Sequence, residues 1–460
     1  MEVIQRRAKA INYEKLEIIK EMIMNEKQFL HDLLDYLNAG HSMFHATENT
    51  AIMLQKAGFT EIFEKDAWAL QKGGKYFVRR NASSIIAFVC PNANIAENGF
   101  RIIGSHTDGP GFKVKPGNLV VTADGYVQLN TEPYGGAILS TWFDRPLSFA
   151  GKVVLKGKGD FDTEEYLVDV EKPCLVIPNL CIHFNRSVNE GVEINKQKHV
   201  LPLFTLANKQ KAHSSYLLEA ILAELSKQGK NSSATDILDY ELYLYETDKG
   251  SFVGLHDEFI SASKIDNLSL VFASTSALIQ AKPTNRVQIM VAFDNEEVGS
   301  ASANGAASSF MDRILERICA NFGCTQEDTY RAYANSFVVS ADTGHAVHPN
   351  YAEMHDPTNR PVLGGGPILK YNANMRYVTN SVTASVFKNA CAKAGVPCQN
   401  FVLKSDVSGG STIGPAISSR TSIPTVDMGT AILAMHSIRE TGSTEDTVYT
   451  QKAFVAFYEG

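Results

Sequence analysis

The chain of 460 residues lacks the features of several protein classes. It has no apolar run near the ~18 residues that cross a bilayer. Its first 21 residues hold neither the apolar stretch nor the small-residue cleavage site of a signal peptide. Basic residues are also few: 43 Lys and Arg stand against 50 Asp and Glu, for a net charge of −7. Because nucleic-acid binding requires a basic face, we expect no nucleic-acid partner. The lack of a long apolar run likewise predicts no membrane segment.

Cysteine is scarce and shows no pairing pattern. The seven cysteines are an odd number, and none belongs to a Cys-x-x-Cys pair. Few, irregularly spaced cysteines in a long chain are typical of reduced thiols in a cytosolic protein. We therefore expect a cytoplasmic protein whose fold does not depend on disulfides.

The composition is that of a globular protein with a large core. Apolar residues make up 44% of the chain and charged residues 20%, which excludes disorder and coiled coils. Single cores stop growing at roughly 250–300 residues, so this length favours more than one domain. Internal repeats, low-complexity tracts and long Pro/Ser linkers are lacking as well.

The hydrophobic pattern changes twice along the chain. It predicts a helix over 13–38 and then apolar strands over 83–90 and 100–105, which we expect at the centre of a sheet. From about 112 to 250, short β-like runs are separated by Asp-Gly, Gly-Gly and Lys-Gly turns, with one helix at 215–227. After 255, helices and strands alternate again.

This alternation predicts an α/β fold with a mixed, mostly parallel central sheet flanked by helices. We predict that residues 1–111 and 252–460 form one discontinuous domain. Residues 112–251 would form a β-rich domain inserted into it.

The strongest chemical signal is VAFDNEEVGS, residues 291–300. An apolar strand ends there, and Asp294, Glu296 and Glu297 follow within four residues. A solvated acidic loop is one reading of this pattern. Yet binding sites in open α/β sheets lie at such strand ends, where adjacent glutamates can divide metal binding and general-base work between them.

Four further segments place metal-ligand residue types at strand ends or turns. His106 ends one apolar strand, and Asp108 is spaced to orient its imidazole. Asp342 ends another strand, Asp266 stands where a helix begins, and His436 follows a strand and a small-residue turn. Each segment alone also has an ordinary structural interpretation, such as a helix N-cap for Asp266. Asp406 and Glu440 are either supports for these groups or exposed carboxylates.

Taken together, these residues predict a two-metal site. Two imidazoles and three carboxylates suit Zn²⁺, and Mn²⁺ or Co²⁺ would also be accepted, whereas a structural zinc site would use thiols. A shared carboxylate can hold two ions ~3.5–4 Å apart, so that both act on one water and one oxyanion. In chain order the residues are His106, Asp266, Glu296 and Glu297, Asp342 and His436, where one of the two adjacent glutamates is left for general-base work.

Over roughly residues 90–460 the sequence resembles the aspartyl aminopeptidase family of co-catalytic zinc metallopeptidases. Several independent motifs in one order make coincidence improbable. The motifs are SHTDGP (105–110), IPNLCIHFNRSVNEG (177–191), KIDNLS (264–269), FDNEEVGS (293–300), ADTGHAVHPNY (341–351), GGPILKYNANMRY (365–377), GGSTIGP (409–415) and MHSIRE (435–440).

The resemblance implies a role for each member of the set. Asp266 would bridge two divalent ions per subunit, and its peptide bond to Asn267 would be cis. His106 and Asp342 would complete one metal site, and Glu297 and His436 the other. Glu296 would be the general base and acid, and Asp108 would support His106.

The resemblance also implies substrate contacts and an assembly. His345, Lys370 and Tyr377 would contact the substrate. His183 would reach the active site of a neighbouring subunit and act in catalysis and substrate binding there. The β-rich insert would mediate dimerisation, and six dimers would form a tetrahedral homododecamer.

The resemblance implies a metal-dependent aminopeptidase that removes N-terminal residues from peptides. The family prefers acidic N-terminal residues, and the Lys370 ammonium offers a partner for a substrate carboxylate. Three alternatives stay open: a preference for neutral residues, a deacylase or amidohydrolase using the same site, and a non-catalytic, metal-stabilised assembly or cargo protein. The presence of Glu296 favours catalysis over the last of these.

Overall fold

The computed structural model describes residues 25–117, 119–208 and 215–460. The predicted helix over 13–38 lies partly outside these residues; within them, residues 25–39 are helical (α1). Further helices are α2 (Met43–Lys56), α3 (Ile95–Asn98), α4 (Ser215–Lys227), α5 (Ile265–Gln280), α6 (Phe310–Asn321), α7 (Gln326–Ala334), α8 (Ser381–Ala394), α9 (Ile413–Thr421) and α10 (Thr444–Tyr458).

The strands fall into four sheets. In chain order they are β1 (Thr60–Glu61), β2 (Lys75–Arg80), β3 (Ser84–Val89), β4 (Phe100–His106), β5 (Gly111–Val114), β6 (Val120–Val121), β7 (Tyr126–Gln128), β8 (Thr131–Tyr134), β9 (Leu147–Lys156), β10 (Thr163–Asp169), β11 (Leu203–Leu206), β12 (Ile237–Glu246), β13 (Ser251–Val253), β14 (Phe259–Ala262), β15 (Val287–Phe293), β16 (Phe337–Ala341), β17 (Gly344–His345), β18 (Ile368–Tyr371), β19 (Gln399–Val402), β20 (Thr425–Gly429), β21 (Ala431–Leu433) and β22 (Glu440–Ser443).

The central sheet has nine strands in the order β1-β2-β3-β15-β4-β16-β20-β18-β19. Strands β15, β4, β16 and β20 run parallel to one another, and antiparallel pairs occur at β2/β3, β3/β15 and β20/β18. The sheet is therefore mixed and mostly parallel, as predicted. The apolar strands β3 and β4 flank β15 near the centre of the sheet. This position explains why their residues are apolar on both faces.

Helices cover both faces of this sheet. Successive side chains of a strand point to opposite faces, so Ile85 and Met290 pack with α1, α2, α5, α8 and α10 on one side. On the other side, Ile86 and Ile289 pack with α6, α7 and α9. The two apolar layers hold the strands rigidly, and the carboxyl ends of β15, β4 and β16 consequently emerge at one fixed edge.

Residues between β4 and β13 form two antiparallel sheets of their own. Their orders are β10-β9-β12-β5-β8 and β11-β7-β6. A separate core lies between these strands and α4, with Phe149 and Ile221 fully buried in it. The β-rich character predicted for this region is thus observed, and α4 spans the residues predicted for it.

A fourth sheet, β13-β14-β22-β21-β17, lies beside the edge where β16 ends. Its strands β21 and β22 are antiparallel, and the turn between them carries His436. Among the described residues, no helix has both the length and the apolar character needed to cross a membrane.

Candidate active site

Three neighbouring parallel strands deliver the first part of the site. His106 is the last residue of β4, Asp342 follows β16 directly, and Glu296 and Glu297 form the turn after β15. Because the carboxyl ends of parallel strands meet at one edge, residues separated by over 200 positions in sequence become neighbours there. The motifs at these strand ends are thus brought together in space.

Asp266 lies between two groups of side chains. Its Oδ1 is 3.5 Å from His106 Nε2, and its Oδ2 is 3.7 Å from His436 Nε2. Asp342 Oδ1 lies 3.7 Å from the same His106 nitrogen, and Glu297 Oε2 lies 3.4 Å from that of His436. Two triads therefore share Asp266, one carboxylate oxygen facing each. The peptide bond between Asp266 and Asn267 is cis.

The donor atoms of each triad fit a divalent cation. Their spacings of 3.4–3.7 Å are long for hydrogen bonds, but they suit oxygen and nitrogen ligands that each lie ~2.0–2.2 Å from one ion. Asp266 Oδ1 and Glu297 Oε1 are buried and accept no hydrogen bond. Each triad contains an imidazole and carboxylates and no thiol. Both are consequently candidate metal sites.

The electrostatics of the cluster point the same way. Burial, together with repulsion from Asp342, raises the pKa of Glu296 to about 8. Burial and the neighbouring Asp266 raise the pKa of Glu297 well above its ordinary value. Carboxylates crowded in a poorly solvated place disfavour their own ionised forms. Cations among them would offset that repulsion.

Asp108 supports both His106 and the glutamate turn. His106 Nδ1 lies 3.1 Å from the Asp108 backbone oxygen and 3.4 Å from its carboxylate. That carboxylate also accepts the backbone N–H groups of Glu296 and Glu297 at 3.1 Å each and the Tyr134 hydroxyl at 2.7 Å. Tyr134 belongs to the β-rich region, and the sequence pattern held no signal for its presence here.

Glu440, for which the sequence left two roles open, is a buried support of the candidate metal ligands. It is 1% exposed, and it accepts the backbone N–H of Asp266 at 2.8 Å and that of His436 at 2.7 Å. One carboxylate thus fixes the backbones of both Asp266 and His436, two members of the triad that also contains Glu297. Asp406 is different, since its side chain is 70% exposed and lies beside Lys404.

The β-rich region also holds the loop that carries His436. His436 Nδ1 faces the Gly136 backbone oxygen at 3.2 Å, and Ile138 donates its N–H to the His436 carbonyl. Ile438 packs into the core of that region, and Arg439 pairs with the buried Glu246 of β12 at 2.9 Å. The position of this imidazole therefore depends on both parts of the molecule.

A cavity of about 630 Å³ opens beside the two triads. Lys370, His345 and Tyr377 line it, as do Phe401 and the loop 408–412. The Lys370 ammonium is 3.4 Å from Asp342 Oδ2 and 5.4 Å from the centre of the Tyr377 ring. Burial and this ammonium lower the pKa of His345 to about 4, so its imidazole is neutral at pH 7.

His183 is not brought to this cluster. It lies in an exposed turn within residues 178–191, next to Ile182 and Phe184, which are exposed as well. The residues lining the cavity do not include it. Its predicted role would therefore require the active site of another subunit.

Comparison with known proteins identifies the family. The model of the Aminopeptidase I zinc metalloprotease family (M18) matches residues 36–458. A probable M18 family aminopeptidase 2 from Clostridium acetobutylicum is 46% identical over 434 residues, which cover 94% of this chain and 99% of that protein. The chain belongs to the M18 family. It is a metalloaminopeptidase, and the predicted resemblance is confirmed.

Solved structures of M18 proteins share the fold. The structure of the Ape4 and Nbr1 complex matches with a TM-score of 0.90 and 37% identity, covering 95% of this chain and 86% of that one. The S. cerevisiae mApe1 dodecamer matches with a TM-score of 0.82 and 26% identity, covering 95% and 97%. The predicted fold class is thereby confirmed.

We expect Glu440→Gln to weaken divalent metal binding by roughly 10–100-fold, as is usual when a partner of metal ligands is lost. The amide nitrogen cannot accept one of the two N–H groups, so Asp266 or His436 loses its anchor. Competition titration of Zn²⁺ against a chromogenic chelator measures the affinity. The exposed Asp406→Asn is the matched control, and equal affinities of both variants and the wild type would contradict the role of Glu440.

Proposed function

We propose that this M18 enzyme removes N-terminal residues, preferably acidic ones, from peptides with the help of two divalent ions. The observation that carries the proposal is Asp266, whose two oxygens face two separate triads. His106 and Asp342 would hold one ion with it, and Glu297 and His436 the other. The donors favour Zn²⁺, and Mn²⁺ or Co²⁺ are alternatives. Bound ions would acidify a water and polarise the first peptide carbonyl.

Glu296 is the proposed general base. It lies in the turn after β15, lines the cavity, and belongs to neither triad that contains Asp266. Its backbone is fixed through Asp108. From this position its carboxylate takes a proton from the attacking water and later returns it to the leaving amine.

Lys370 is the proposed partner of an acidic substrate side chain. It is 3% exposed, and among the described residues that line the cavity it is the one Lys or Arg. Asp342 occupies one side of its ammonium, and an ammonium has three donors. A substrate carboxylate in this poorly solvated place would gain a strong, charge-assisted hydrogen bond. Tyr377 and His345 form neighbouring walls and are proposed to contact the same substrate.

We further propose that the enzyme works as a homo-oligomer, built from dimers into a dodecamer. Residues 112–251 would be the dimerisation domain, with 1–111 and 252–460 as the catalytic domain. Support comes from the exposed apolar residues Leu180, Ile182 and Phe184 around His183, and from the similarity to the mApe1 dodecamer. In such a dimer, His183 would enter the partner's active site and help to stabilise the reaction intermediate.

Assay of Asp-, Glu- and Leu-based chromogenic amides with Zn²⁺, Mn²⁺ or Co²⁺ tests the reaction and its preference. We expect the acidic amides to be cleaved fastest. Lys370→Ala should lower kcat/KM for them by roughly 10–100-fold, because a charged hydrogen bond is lost. Lys404→Ala, a lysine outside the cavity, is the control.

The other outcomes separate the alternatives. Faster cleavage of the Leu amide would show a preference for neutral residues. If Lys370→Ala keeps the acidic preference of the wild type, Lys370 does not determine that preference. Cleavage of acetylated amino acids alone would indicate a deacylase. Without cleavage of any amide under the three metals, the non-catalytic assembly protein becomes the better hypothesis.

Glu296→Gln should lower kcat by roughly 10²–10⁴-fold, the usual contribution of a general base. Its metal content by mass spectrometry and its size by light scattering should equal those of the wild type, because both triads stay complete. The exposed Glu353→Gln is the control. Near wild-type turnover in Glu296→Gln would mean that another group acts as the base.

His183→Ala should lower kcat while leaving the metal content unchanged, and subunit mixing tests whether the residue acts across subunits. When His183→Ala and Glu296→Gln chains are unfolded together and reassembled, random dimers should contain about a quarter of complete active sites. Activity should then exceed that of either variant. His199→Ala, at an exposed histidine elsewhere in the β-rich region, is the control. Wild-type kinetics of His183→Ala, or no recovery on mixing, would refute the shared site.

A further inference from the structure

Asp427 is a buried carboxylate to which the proposed chemistry assigns no task. It lies in β20 of the central sheet and is 0% exposed. Neither metal-binding triad contains it, and it does not line the cavity. Since carboxylates are almost never fully buried unless they are paired or hydrogen-bonded, its partners indicate what it does.

The Asp427 carboxylate joins two segments that are 34 positions apart. Its Oδ1 accepts the Thr412 hydroxyl at 2.6 Å, and its Oδ2 accepts the Val378 backbone N–H at 2.7 Å. Thr412 is the N-cap of α9. A Cβ added at Gly414 would come within 2.4 Å of Asp427 Oδ1, so the first turn of α9 lies directly against the carboxylate.

The backbone of Asp427 strengthens one of these links. Its N–H donates to the Thr379 hydroxyl at 2.9 Å, and that hydroxyl in turn lies 3.2 Å from the Asp427 carbonyl oxygen. Val378 and Thr379 are therefore held to β20 at three points. A shift of this segment would break several hydrogen bonds at once.

Both segments carry walls of the substrate cavity. Tyr377, next to Val378, lines it on one side, and Ser411 and Thr412 line it at the end of the loop 408–412. Lys370 lines the same cavity, and its ammonium lies 5.4 Å from the centre of the Tyr377 ring and is electrostatically attracted to Asp427. Asp427 thus contacts the parts of the cavity around Lys370, whereas Asp108 and Glu440 contact the metal triads.

We propose that Asp427 is a positioning residue for substrate selection: it holds the Tyr377 wall and the Thr412 wall at the distance that fits the substrate's N-terminal side chain beside Lys370. The proposal rests on the proposed aminopeptidase function. It assigns to Asp427 the positioning of two walls that bind substrate and leaves the chemical step to Glu296 and the metal triads.

Asp427→Asn tests the proposal because it keeps the shape and changes the hydrogen bonds. The amide oxygen can keep the Val378 N–H, and the NH₂ group then faces the Thr412 hydroxyl, which must turn from donor to acceptor although it also lies 3.3 Å from the Gly414 nitrogen. Both contacts also lose the charge assistance of the carboxylate. We expect KM for the wild type's preferred amide to rise about 10-fold, which corresponds to about 1.4 kcal/mol. The preference between acidic and neutral amides should fall similarly, with kcat and metal content nearly unchanged.

Asp446→Asn is the matched control. Asp446 is also 0% exposed, and it accepts two backbone N–H groups, from Gly364 at 2.8 Å and Gly366 at 2.7 Å. Neither glycine lines the cavity. This variant should lose a comparable amount of thermal stability without a change in KM or preference. If Asp427→Asn fails to fold, Thr412→Val removes the same hydrogen bond from its other end and should raise KM in the same direction.

The outcomes distinguish this proposal from the proposed function. A wild type that cleaves no amide overturns the proposed function and, with it, the substrate role of Asp427. If the wild type is active, the proposed function stands and the variants test Asp427 alone. The role of Asp427 is then overturned if Asp427→Asn lowers kcat at constant KM, loses metal, or changes KM and preference no more than Asp446→Asn does. Isothermal titration with free L-aspartate gives a readout independent of turnover, and there too a roughly 10-fold weaker affinity is expected.

Discussion

Repulsion among buried carboxylates is the constraint on which the site depends. Asp266, Glu296, Glu297 and Asp342 converge at one edge of the central sheet; Asp266, Asp342 and the Glu297 side chain are buried and Glu296 is half-buried, so solvent screens their charges weakly. Two imidazoles and one ammonium do not satisfy every oxygen, because Asp266 Oδ1 and Glu297 Oε1 stay without a hydrogen bond. A pair of divalent cations would supply the missing positive charge. This charge imbalance supports the proposed two-ion site.

The fold withstands this repulsion by fixing the ligands from outside. The two apolar layers of the central domain hold the strand ends. The buried Asp108 carboxylate holds the turn of Glu296 and Glu297. The buried Glu440 carboxylate holds the backbones of Asp266 and His436. The β-rich region adds Tyr134 and the contacts around His436. The candidate site therefore takes its support from both the central sheet and the β-rich region.

The sequence pattern predicted much of this arrangement, and where it did not, the reason is physical. Apolar runs predicted the central strands, and the residues at their ends predicted the candidate ligands, because both signals are local. Glu440, Asp427 and Tyr134 act through hydrogen bonds to groups far away in the chain, and only the fold brings those groups together. For Asp406 and Glu440, sequence alone could not separate an exposed carboxylate from a buried support. The cytoplasmic location stays a prediction.

The most direct test of the central claim is anomalous diffraction at the zinc edge from crystals of the zinc-loaded enzyme. The account predicts two peaks per subunit, ~3.5–4 Å apart, one beside His106 and Asp342 and the other beside Glu297 and His436, with Asp266 between them. A single peak, or a second peak out of reach of Asp266, would contradict the bridged two-ion site.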